Sequence, residues 1–131
     1  MDRQTLGEDF SYKEEILTKH PTVFFRPGDR TSPEQPVYVH SNEQGMTYLG
    51  LITQYGNHEK QIPPIHEEPR IRMRIISRVA KTINEISVVE FTGAYLEIHD
   101  LTSLISWLED KYPAHTFGND SVITLYRIEY V

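Results

Sequence analysis

The chain predicts an α+β fold, a single, mostly antiparallel sheet of about five or six strands covered by two or three helices. Three observations carry that expectation. Residues 94–130 read as a strand-helix-strand unit at the C-terminal end, AYLEIH, then DLTSLISWLEDKYP, then VITLYRIEY. Short apolar runs rich in β-branched and aromatic residues recur upstream, in TVFF and in MTYLGLITQY. Two stretches dense in proline and charge, residues 26–36 and 56–69, separate these runs as loops. A chain of 131 residues can bury a core without disulfides or metal, so residues 1–131 are expected to form one domain.

In chain order, residues 1–10 are a polar lead-in, flexible or docking late. Residues 12–19 suit a short helix with Ser11 as its cap, Glu14 and Glu15 in the first turn and Pro21 beyond its end. TVFF at 22–25 is a buried strand. Residues 37–40 form a short strand, 41–45 a turn, and 46–55 a longer strand that completes a hairpin. Over 70–87 two periods compete. RIRMRI alternates Arg with apolar residues as a strand does, whereas Ile71, Ile75, Val79, Ile83 and Ile86 continue at helical spacing behind Glu67, Glu68 and Pro69. The longer periodicity favours a helix. Residues 88–91 then form a strand, and Thr92-Gly93 turns the chain into the strand at 94–99. The helix that follows is the plainest element, because Leu101, Leu104, Ile105, Leu108 and Tyr112 share one face. Asp100 caps its start, Lys111 complements its dipole and Pro113 stops it. The last strand, 122–130, is long and apolar, and as an open edge it would pair with its copy in a homodimer.

Composition narrows the function classes. With no cysteine there is no disulfide framework and no thiolate chemistry. The N-terminal residues are charged where a secretory signal needs an apolar run, and no window approaches the roughly 20 apolar residues of a membrane span. A soluble, cytoplasmic protein is expected. A formal net charge of −6 argues against a nucleic-acid backbone as partner.

Several short motifs bear on chemistry. Gly28-Asp29, then Gly56-Asn57-His58-Glu59, then His99, then Ala114-His115-Thr116 follow one another in an order that resembles the calcineurin-like metallophosphoesterase signature. That resemblance implies two stacked sheets and a divalent metal site, with Asp29, Asn57, His99 and His115 as ligands and His58 near the leaving-group oxygen. The chain departs from it twice, lacking a DxH before Gly28 and carrying AHTF where the family has GHxH. His20-Pro21-Thr22 resembles half of the signature of two-histidine phosphodiesterases, but no second HxT is present.

The arginines point to binding rather than catalysis. Arg26 and Arg30 bracket Gly28-Asp29 in a proline-stiffened loop, and Arg70, Arg72, Arg74 and Arg78 cluster later. Guanidinium forks match phosphate and carboxylate geometry. Arg26, Asp29, Arg30, His58, Glu59, Arg70, Arg72 and Arg74 are therefore the candidate ligand-binding residues. The bland alternative pairs Arg26 with Asp29 across the turn and makes the later arginines a solvated face beside Glu67 and Glu68. The reading that follows is a small non-enzymatic interaction or regulatory protein without a cofactor. Its partner is a protein or a small phosphate-bearing anion, as for viral or mobile-element factors that act on host machinery. The alternative is a minimal metal-dependent phosphoesterase built on the loops at 28–29 and 56–59.

Overall fold

A computed structural model describes residues 5–31, 46–57 and 59–131. Its six strands form one mixed, open sheet in the order β1-β3-β5-β6-β2, with β4 also paired to β3, and the chain divides into two compact units. The α+β class and a sheet of about six strands with two α-helices among the described residues are as the sequence predicts. The strand and turn expected at 37–45 lie outside the described residues.

Among the described residues, the first unit takes in 5–20, 46–57, 59–75 and 129–131. Its first strand, β1 (Thr5–Asp9), pairs in parallel with β3 (Met46–Gln54), from Thr5 opposite Tyr48 to Asp9 opposite Ile52. Residues 5–9 of the polar lead-in are thus a sheet strand, on which Leu6 finds a buried position. Asp9 accepts the Ser11 N–H at 2.8 Å and caps a 3-10 turn that opens into helix α1 (Lys13–Lys19). Asp9, and not Ser11, therefore starts this helical segment. Within the loop expected at 56–69, β4 (Ile65–His66) pairs with β3 across a bulge.

The favoured helix over 70–87 is overturned. Ile71–Thr82 is one continuous strand, β5, whose first residues pair antiparallel with β3, Ile71 opposite Leu49 and Arg74 opposite Met46. Met73 is buried while Arg72 and Arg74 are exposed, so the short Arg-apolar alternation carried the true signal. β-Branched Ile71, Ile75, Ile76 and Val79 lose little in an extended backbone that has a partner strand waiting, and pairing outweighs the helical spacing.

Among the described residues, the second unit takes in 21–31 and 76–128. Here β2 (Val23–Pro27) runs antiparallel to β6 (Val122–Tyr130), with Arg26 opposite Thr124 and Phe24 opposite Tyr126. The strands expected at 88–91 and 94–99 do not form. Ile83–Glu85 and Val88–Phe91 are 3-10 turns, and residues 92–100 are turns and bends. Each 3-10 turn is fixed by a capping box, Glu85 accepting the Thr82 N–H and Glu90 the Ser87 N–H, both at 2.9 Å. Tyr95 packs edge-on against Phe24 with ring centroids 5.8 Å apart, and Phe91 lies 5.9 Å from Phe25. The strand-helix-strand unit is therefore a helix and one strand. That helix, α2 (Leu101–Lys111), has the expected cap: Asp100 accepts the Ser103 N–H at 2.7 Å. Leu104, Trp107 and Leu108 are its buried residues.

Because β6 lies between β5 and β2 in the sheet, it offers no open edge to a second copy. The two stacked sheets implied by the metallophosphoesterase resemblance are absent from the described residues, which form one sheet.

Candidate functional site

Register places the site. Residues that alternate along a strand, and residues directly opposed across an antiparallel pair, share a face. Phe24 and Arg26 on β2 therefore stand on the same face as Thr124 and Tyr126 on β6. Arg26 is 6% exposed, and its guanidinium donates to the Phe25 carbonyl at 2.9 Å. Thr124 is fully buried, and its hydroxyl does two things. It donates to the Gly28 carbonyl at 2.7 Å and accepts the Arg30 N–H at 2.8 Å, tying the loop after β2 to the middle of β6. The Gly28 N–H donates to the Val122 carbonyl at 2.9 Å. Gly28 holds φ +78°, a left-handed conformation that glycine adopts without strain.

On that loop the Arg30 side chain folds back, Nε donating to the Pro27 carbonyl at 3.1 Å. Asp29 accepts both the hydroxyl and the N–H of Thr31, which hold its carboxyl below the usual range, with Arg78 adding to the effect. Tyr126 is fully buried, and burial pushes its phenol up. The positive charges of Arg30, Arg26 and Arg78 pull the other way, Arg78 also through the approach of its side chain to the hydroxyl. Three arginines, from β2, its following loop and β5, thus act on one buried tyrosine through their charge.

Arg30 also lines an open cleft of about 570 Å³ in the same unit. Its remaining walls come from Pro27, Gly28 and the turn after α2, where Tyr112, His115 and Phe117 line it.

The sequence-predicted residues separate accordingly. Arg26, Asp29 and Arg30 lie together in the second unit, with Arg78 added. Arg26 donates to the Phe25 carbonyl and Asp29 is held by Thr31, which differs from the expected Arg26-Asp29 turn pair. Arg70, Arg72 and Arg74 belong to the first unit. Arg70 bonds Glu68 at 2.8 Å and Thr5 at 2.7 Å, and Arg74 bonds Glu129 at 3.0 Å, so both serve the sheet surface. Arg72 is exposed. Glu59 is exposed on a turn, and His58 lies outside the described residues.

The proposed metal ligands have other work. The Asn57 side chain accepts the Lys60 N–H at 3.1 Å, and its backbone exchanges two hydrogen bonds with Ile62. Gly56 is required there because a Cβ would stand 2.2 Å from the Ile62 carbonyl oxygen. His99 lies 3.5 Å from the carboxylate of its neighbour Asp100, and His115 stacks edge-on against Phe117. Among the described residues no three His, Asp or Glu side chains gather as a metal site.

Sequence reasoning missed Thr124 and Tyr126. Both sit in an apolar run that reads as plain core, and Thr124 meets the loop across 94 and 96 positions of chain. Arg78 was visible only as the last member of an arginine run.

No family model and no curated protein matches this chain. Its fold is similar to the crystal structure of protein EF3133 from Enterococcus faecalis V583, of the family DUF984, with a TM-score of 0.52. The two share 12% identity over 91% of this chain and 67% of that one, a likeness of fold alone. No helix among the described residues is long and apolar enough to cross a membrane.

Proposed function

We propose that this chain is a non-catalytic binding protein that sequesters a small phosphate-bearing anion at Arg26, Arg30 and Arg78. The observation that supports the reading is that Arg26, directly opposite Thr124, and Arg30, whose N–H bonds the Thr124 hydroxyl, sit beside one another at β6, and that their charges and that of Arg78 all reach Tyr126 in a chain whose formal net charge is −6. Arginine stays charged at every physiological pH, so the positive potential of this region does not depend on pH. Asp29 is one carboxylate within reach of the Arg78 charge, and its Oδ1 accepts the Thr31 N–H. A phosphate presents oxygens that match more than one fork at a time. Holding such a ligand without turning it over suits a regulatory factor that acts by withdrawing the ligand from its users.

Thermal unfolding in graded inorganic phosphate and pyrophosphate tests this. A ligand that binds only the folded chain raises its stability by about 2.7 kcal/mol at a hundred times its dissociation constant. The shift is expected in the wild type and in Arg74→Ala, and is expected to be lost in Arg78→Ala and Arg30→Ala. An anion response that survives both of the latter substitutions, or no response at all, refutes the assignment.

A further inference from the structure

We infer that the phosphate bound by this site is carried on a flat aromatic body, with a nucleoside monophosphate as the ligand class. The inference rests on the anion-binding reading above and adds what the neighbouring cleft contributes. Arg30 belongs to both features, acting on Tyr126 from the arginine group and lining the cleft. A phosphate held at Arg30 therefore has the rest of its molecule pointing into a space of about 570 Å³. That volume lies within the roughly 300–1,000 Å³ of small-molecule sites.

The turn after α2 gives the cleft an aromatic wall. His115 and Phe117 meet at 62° with centroids 6.3 Å apart, and Tyr112 also lines the cleft. This wall is held in place by its backbone. The His115 N–H donates to the Tyr112 carbonyl at 3.0 Å, the Phe117 N–H to the Glu109 carboxylate at 3.2 Å, and the Gly118 N–H to the Ser121 hydroxyl at 2.9 Å. Tyr112 and Phe117 are half-buried and His115 is exposed, and rings presented in this way on a hydrogen-bonded turn are a platform on which another ring can stack. Thr116 and Ser121 also line the cleft and bring hydroxyls of the kind that pair with a ribose. Among the described residues that line the cleft none is a carboxylate.

Calorimetric titration with uridine and adenosine monophosphates, ribose 5-phosphate and phenyl phosphate separates this inference from the one beneath it. The nucleotide is expected to bind about tenfold tighter than ribose 5-phosphate, the size of one stacked base. Phe117→Ala should remove that advantage while leaving ribose 5-phosphate unchanged, and Phe117→Tyr should restore it. Arg30→Ala should weaken both. If nucleotide and ribose 5-phosphate bind equally and both fail in Arg30→Ala, the anion site stands and the aromatic assignment falls. Phenyl phosphate binding as tightly as the nucleotide also overturns the nucleotide class. If none of the four binds, both readings fall together.

Discussion

Thr124→Val tests the hinge of the site, because it exchanges the buried hydroxyl for a methyl of nearly the same shape. Two hydrogen bonds disappear, to the Gly28 carbonyl at 2.7 Å and from the Arg30 N–H at 2.8 Å. A typical net contribution is about 0.5–1.5 kcal/mol each, so the pair contributes on the order of 1–3 kcal/mol. The new methyl is buried where Thr124 now has no exposed surface, which returns about 0.8 kcal/mol. The balance is a loss of roughly 0.5–2 kcal/mol. Urea unfolding reads it as a lower midpoint at unchanged slope. The same variant should bind phosphate more weakly, since the Arg30 backbone loses its anchor on β6. Thr124→Ser is the companion, keeping the hydroxyl and losing a methyl at a cost of about 0.5–1.5 kcal/mol. It should be destabilised and still bind phosphate as the wild type does. A Val variant with the wild-type midpoint and wild-type phosphate affinity would refute the reasoning, showing that the hydroxyl holds nothing.

Other consequences follow from single positions. Leu108→Ala removes a fully buried side chain from α2 and should cost about 2–5 kcal/mol, so a midpoint shift below that range would show that the surrounding core collapses into the gap. Gly56→Ala should destabilise by about 1–3 kcal/mol, because its Cβ would meet backbone atoms of Ile62 and Pro63 that cannot swing away. The loss should be equal with and without chelator, whereas a metal-dependent loss would revive the phosphoesterase reading of this loop. His66 gives a pH dependence. Burial first and the Arg70 charge second push its imidazole below the ordinary 6.5, against a smaller upward pull from Glu68. Between the folded and unfolded values the unfolded chain binds more protons, so stability is full above about 6.5 and declines as pH falls through this window. His66→Gln should flatten that decline, and an unchanged slope in unfolding curves between pH 7 and 5 would count against the assignment.

The sequence by itself determined those elements whose local signals agree with one another. The helix after Asp100 was legible because apolar spacing, cap, basic last turn and Pro113 all demand the same start and stop. TVFF and the strands ending at Gln54 and Tyr130 were legible for the same reason. Local signals also marked the two 3-10 turns, since Thr82-x-x-Glu85 and Ser87-x-x-Glu90 are capping boxes, but helical spacing over 70–87 suggested a helix through the first and the apolar residues at 88–91 a strand at the second. Tertiary structure decided the long segment from Ile71 to Thr82, where two periodicities fit the same residues and only the presence of β3 beside it chose between them. It also decided the site. Arg26 and Arg30 were readable as candidates from a stiff, basic loop, but their association with Arg78, Thr124 and Tyr126 is a consequence of which strand pairs with which and in what register. Register is set by the burial of whole faces across distant stretches of chain, and no window of sequence contains it.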